Sequence, residues 1–251
     1  MSWELRPAAG RAVTRTDWLH SAHSFAFGSH YEPDNLSFGP LLAFNVDELQ
    51  PGPGYPRHRH ASVEILTWVL AGTLEHLDAG GARLVRPGML QFLSAGSGIE
   101  HTERSASATE PVRVVQLWLA AAEPGGEPRY RAADIPLPAG DLVLAAAGAR
   151  PAPIPLRWPG AELHAARLPA GATAQLPVAR FVHLFLLSGS ARAERVGEVD
   201  PPAPVRLGPE DALRITGELP VRLVAERESE LLVLAMTESP SSESDAGSSA
   251  G

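Results

Sequence analysis

Cysteine is absent from this 251-residue chain. A disulfide scaffold, a thiolate zinc site, an iron–sulfur cluster and a cysteine nucleophile are thereby excluded. Lysine is absent as well, so all 21 basic residues are arginine. Against 29 acidic residues they leave a formal net charge of −8. That sign does not suit a protein that tracks phosphates, and no direct nucleic-acid partner is expected. No apolar run approaches the ~18 residues that a membrane-spanning helix needs. The opening MSWELRPAAG lacks the apolar core of a secretion signal. These absences predict a cytoplasmic protein with no membrane partner.

Helical periodicity is scarce too. Punctuation is abundant: 24 Pro and 23 Gly cut short, often alternating apolar runs. That is the pattern of an all-β sandwich or barrel. Residues 63–70 (VEILTWVL) are apolar on both faces and predict a strand buried between layers. Further strands are expected near 73–77, 82–85, 90–93, 99–104 and 112–119. Asp78-Ala79-Gly80-Gly81 and Arg86-Pro87-Gly88 are turns. Trp68, Phe92 and Trp118 fall in the strand pattern, where core is the default reading.

The stretch 123–140 is Pro- and Gly-rich with no clear period, and reads as a linker between a first domain, 1–122, and a second, 141–237. The second repeats features of the first. Phe185-Leu186-Leu187-Ser188-Gly189-Ser190 matches Trp68-Val69-Leu70-Ala71-Gly72-Thr73, and Leu207-Gly208-Pro209-Glu210-Asp211 parallels Val85-Arg86-Pro87-Gly88-Met89. Two matches in the same order suggest a duplicated β domain. Residues 238–251 are nearly without apolar side chains and are expected to be a disordered tail.

Potential metal ligands cluster in two short runs, His58-Arg59-His60 and His101-Thr102-Glu103. Residues two apart on a strand share a face, so each pair can aim two donors at one point. Imidazole nitrogen and carboxylate oxygen suit a divalent first-row metal. Isolated His-x-His runs are common on surfaces, but the second pair follows Gly96-Ser97-Gly98 in a matching β context. By strand parity Glu64 faces the same side as His60 and could also contribute.

The run Gly52-Pro53-Gly54-Tyr55-Pro56-Arg57-His58-Arg59-His60, followed by Glu64 and Gly72, resembles the first motif of the cupin superfamily. The segment Ala95-Gly96-Ser97-Gly98-Ile99-Glu100-His101-Thr102-Glu103 resembles the signature of the pirin family. Residues 64–70 and 72–76, together with His23-Ser24-Phe25-Ala26-Phe27 and Tyr31-Glu32-Pro33, are similar to the bacterial pirin-like quercetin 2,3-dioxygenases. The resemblance spans about 11–131. It implies a bicupin, two β-barrel (jelly-roll) cupin domains, with one divalent metal, usually Fe(II), in the first. The ligands would be His58, His60, His101 and Glu103. Many cupins instead use the glutamate at the position of Glu64; the pirin resemblance favours Glu103, with Glu64 behind the ligands. Pirins usually have Pro where Arg59 stands.

The implied activity is dioxygenation of a flavonol or similar enolisable aromatic, with Glu103 or Glu64 accepting the substrate's hydroxyl proton. The partners would then be a small aromatic substrate and dioxygen. The rival function is a non-catalytic iron- and redox-sensing regulator that binds a protein partner. Of the other histidines, His76 is expected to be a structural hydrogen-bonder, and His20, His23 and His30 packing or capping groups. Aligning Gly189 with Gly72 puts Gln175 and Pro177 where His58 and His60 sit. The second domain should therefore hold no metal, with His164 and His183 structural.

Overall fold

A computed structural model describes residues 2–197 and 200–237; the 238–251 stretch expected to be a tail lies outside the described residues. Apart from one 3-10 turn at Ala8–Gly10, the regular elements described are all strands. None of the described residues forms a helix long and apolar enough to cross a membrane.

The strands form four sheets. In the first half, a seven-stranded sheet runs in the order Arg129–Asp134, Met89–Ser94, Val63–Ala71, Val112–Ala120, Leu41–Leu49, Leu19–His23, Ala12–Arg15. It faces a four-stranded sheet ordered Tyr55–His60, Ile99–Ser105, Leu74–Asp78, Gly81–Val85. The second half repeats the plan. Its seven strands are Ser2–Arg6, Ala212–Thr216, Phe181–Ser188, Ser229–Met236, Ala161–Leu168, Leu142–Ala147 and Ile154–Pro155. Its four are Thr173–Gln175, Val221–Ala225, Ala191–Arg195 and Val205–Leu207. This is the expected all-β bicupin. The repeat extends to backbone detail. Gly88 turns with φ +86°, and Glu210, its counterpart in the second half, holds φ +63° although it is not glycine.

Alternation along the central strands explains the layering. Leu66 and Trp68 on Val63–Ala71, and Val115, Leu117 and Leu119 on Val112–Ala120, point to one face. There they meet Leu163, Phe185, Leu232 and Leu234 of the other half. The two large sheets thus pack on each other and hide both faces of the central strands, which is why 63–70 reads as apolar throughout. The opposite faces close the two sandwiches. That of the second half is filled by aliphatic residues such as Leu184, Leu186, Leu213 and Leu223. That of the first carries Leu74, Val85, Val112 and Val114 at one end and polar residues at the other.

Two strands depart from the linear division expected from the sequence. Arg129–Asp134, inside the 123–140 stretch read as a linker, pairs residue for residue with Met89–Ser94 and forms an edge of the first large sheet. Its flanking Pro and Gly residues hid it, and an edge strand needs little apolar patterning. Ser2–Arg6, assigned by position to the first domain, pairs antiparallel with Ala212–Thr216 of the second. Its Trp3 packs on the second sandwich's core.

Candidate metal centre

Hydrogen-bond register sets the site. In the four-stranded sheet His101 lies directly across from His58, and Ile99 across from His60. The pairing slips beyond His101, where Glu103 meets Tyr55; Pro56, which has no N–H to give, sits at the slip. On the other edge of the same strand Glu103 lies across from His76. Inward-facing positions alternate, so His101 and Glu103 are buried while Thr102 between them is not. Gly54 brings the chain in with φ +67°, and any Cβ there would collide with the backbone carbonyl of Glu103.

Ligand-capable atoms of His58, His60 and His101 all lie within 4.8 Å of one another. His76, His101 and Glu103 form a second such group, so the two triples share His101. The structure thus brings three of the four expected ligands into one cluster and joins Glu103 to it through His101. His76, expected only as a hydrogen-bonder, enters the second cluster. Its Nδ1 is 3.4 Å from Glu103 Oε1 and its Nε2 3.2 Å from Asp78 Oδ2.

Two of these imidazoles, those of His60 and His101, are held as neutral donors. Burial, and next the neighbouring His58, hold His60 down at about 4. Burial also holds His101 at about 4, against the pull of Glu103. Neutral imidazole is the form that binds metal. His58 Nδ1–H donates to the Pro56 carbonyl at 2.7 Å, which leaves its Nε2 lone pair available. His101 Nε2 is buried and has no hydrogen-bond partner, an unmet polar atom that a ligand bond would satisfy. Donors bonded at about 2.0–2.2 Å to one ion lie about 3–4 Å apart, within reach of small rotations here. These residues fit a divalent cation.

Glu103 is gripped from behind. Gln91 Nε2 donates to Oε1 at 2.8 Å and Gln116 Nε2 to Oε2 at 2.9 Å. Each amide is itself oriented: Tyr130 O–H donates to Gln91 Oε1 at 3.1 Å, and the Trp118 indole N–H to Gln116 Oε1 at 3.0 Å. Indole can only donate, so it fixes which end of Gln116 faces the carboxylate. Burial would push the Glu103 carboxyl up, but hydrogen bonding by His76 and the nearby imidazoles hold it down at about 2. Trp118 also stands edge-on to His60, ring centroids 4.9 Å apart.

A sequence profile of the Pirin family matches residues 6–119. A Mycobacterium tuberculosis protein named as a candidate quercetin 2,3-dioxygenase is 45% identical over 223 residues, which is 86% of this chain and 91% of that protein. The chain belongs to the pirin family. The quercetin 2,3-dioxygenase of Escherichia coli K12 is 41% identical to this pirin over 127 residues, half of this chain and 55% of that one. Among solved structures, the E. coli pirin YhhW in complex with nickel(II) superposes with a TM-score of 0.86 at 30% identity, covering 94% of this pirin and all of YhhW.

One expected member is not at the centre of this pirin. Glu64 points the other way, into the seam between the halves, where its Oε1 accepts the backbone N–H of Arg157 at 2.9 Å. Strand parity failed because the strand does not continue: His60 ends one strand, Ser62 adopts φ +54°, and Val63 begins a strand of the opposing sheet. Glu64, expected behind the ligands or as an alternative base, is instead a residue of the interface between the halves. Arg59 projects outward as expected, its guanidinium donating to the Ser97 carbonyl at 2.6 Å and lying over Gly98. Phe27 meets Trp118 edge-on at 5.3 Å, so the segment after His23 closes over one side of the centre.

Gln91, Gln116 and Tyr130 went unremarked in the sequence, and Trp118 read only as core. Polar Gln at inward positions of two apolar strands was the available signal. Buried amides need partners, and partners imply a polar centre nearby. In the second sandwich the corresponding strand pair sets buried Ala174 across from buried Leu223, while Gln175, expected at the position of His58, lies across from Arg222 and is exposed. His164 pairs with Glu162 at 3.0 Å, and His183 is buried against Phe44, ring centroids 4.7 Å apart.

Proposed function

We propose that this pirin is an iron-dependent dioxygenase that opens the ring of a flavonol or similar enolisable aromatic. The observation that carries the reading is the oriented carboxylate of Glu103 beside three imidazoles, two of them held neutral by burial. His58, His60, His101 and Glu103 would hold the ion. When bound, the ion supplies a Lewis acid that lowers the pKa of the substrate's 3-hydroxyl and a redox-active centre for dioxygen. The chain's own contribution is placement. Gln91 and Gln116 hold Glu103 in one orientation, and Glu103 is the carboxylate positioned to receive the hydroxyl proton at Oε1 or Oε2. Trp118 and Phe27 give the centre an apolar wall suited to a flat aromatic body. The heterocycle then opens with loss of carbon monoxide.

The relatives named quercetin 2,3-dioxygenase support this reaction class. The test is oxygen uptake and carbon monoxide release by iron-loaded protein across a flavonol panel. Uptake that is stoichiometric with carbon monoxide is expected. Fully iron-loaded protein that consumes no oxygen with any flavonol would overturn the reading and favour the non-catalytic regulator.

A further inference from the structure

A cavity of about 600 Å³ lies where the amino-terminal strand Ser2–Arg6 passes the segment His23 to Asn35. Its walls include Arg6, Arg11, Ser24, Phe25, His30 and Glu32. It is separate from the metal centre: the rings of Phe27 and Trp118 stand between His23 on its wall and His60. A volume of this size is typical of small-molecule sites.

Its polar groups are not spent. The Arg11 side chain is 7% exposed and ion-pairs through Nη2 with Glu210. Its Nε and Nη1 are buried without a hydrogen-bond partner, as is the Ser24 hydroxyl, itself 5% exposed. Unmet donors on a buried cation are costly. Charge around the cavity also favours an anion. Glu210 is shared between Arg11 and Arg113. Beneath the floor Arg214 spends Nη1 and Nη2 on neutral acceptors, Asn35 Oδ1 at 2.7 Å and the Ser24 carbonyl at 2.8 Å, while lying 4.0 Å from the centre of the Phe25 ring. Opposing carboxylates are Glu32, 3.6 Å from Arg6 and accepting from Asn35, and Glu4, bound to Arg6. Of the groups that line the cavity itself, two guanidiniums, those of Arg6 and Arg11, stand against one carboxylate, Glu32, while just outside it Asp211 accepts the Ala8 N–H at 2.8 Å.

We propose that this cavity binds a small organic anion whose carboxylate or phosphoryl group is held by Arg11 and Ser24 and whose apolar body lies along Phe25. Guanidinium suits both oxyanions. The proposal is independent of the reaction at the metal.

The test uses full-length, metal-loaded protein at pH 7.5 and calorimetric titration with benzoate, phenyl phosphate and inorganic phosphate, with sodium chloride matched for ionic strength. Saturable binding of benzoate or phenyl phosphate is expected, and the preferred probe identifies the oxyanion. Arg11→Gln removes the charge, and Ala26→Phe fills the cavity while leaving the Arg11–Glu210 pair in place. Each should raise Kd at least about tenfold, the loss expected for one charged hydrogen bond. His101→Ala, which damages the metal centre, should leave Kd unchanged. No saturable response to either organic probe would overturn the proposal. So would binding that survives Ala26→Phe but vanishes in His101→Ala.

Discussion

Glu64 Oε1 accepts the backbone N–H of Arg157, 93 residues away and in the other sandwich, at 2.9 Å. Burial pushes this carboxyl from 4.5 up to about 7, against the bonds it accepts. The folded state therefore binds a proton between about pH 4.5 and 7 that the unfolded chain has released. The stability that proton provides is complete below pH 4.5 and is lost as pH rises toward 7, by about 3 kcal/mol at most. Glu64→Gln keeps the acceptor and removes the titration. Its urea midpoint, compared with wild type, should improve from pH 5 to pH 8. An unchanged difference between the two proteins would sink this account.

Glu103 and Glu64 should separate cleanly by metal content. Glu103→Ala removes the anionic donor and leaves two amides facing a void, so iron content after purification should fall to a small fraction of wild type, with no turnover. Glu64→Gln should remain iron-replete. Elemental analysis decides it, and the reverse pattern would return the role to Glu64.

The residues behind Glu103 should matter less than Glu103 and more than surface groups. Trp118→Phe and Tyr130→Phe each remove one donor that orients a glutamine amide. Residues behind metal ligands typically contribute about 10–100-fold in affinity or activity. Competition with a chelator should show losses in that range for both variants with little change in Tm. Wild-type affinity in both would mean that the amides orient without help.

Metal stoichiometry should be one per chain. Among the described residues, the clusters able to hold an ion are both in the first sandwich and share His101. Two equivalents at full occupancy, with the second surviving His101→Ala, would contradict this.

The duplication, the strands of the first half and the pair of His/Glu runs were legible because each depends on local sequence: turns at Pro and Gly, alternation, two-residue spacing. The strand expected at 63–70 spans Val63–Ala71, and that at 112–119 spans Val112–Ala120. What failed depends on where the chain goes next. Glu64 was misplaced because parity ends when the chain crosses between sheets at Ser62. Arg129–Asp134 was missed because its partner, not its composition, makes it a strand. Gln91 and Gln116 were overlooked because the polarity of a strand's inner face acquires meaning only when two strands bring their amides to one carboxylate.

The pairing of Ser2–Arg6 with Ala212–Thr216 has a consequence for how the protein is made. Synthesis delivers the amino-terminal segment first and its partner more than two hundred residues later. Until that partner leaves the ribosome, Trp3 and Leu5 have no sheet to join. The strands of the first sandwich are all made before that partner, but the clasp between Ser2–Arg6 and Ala212–Thr216 can close only after it. A bulky fusion ahead of Ser2 should therefore burden the last step of maturation, leaving a metal-competent first half attached to an unclasped second one.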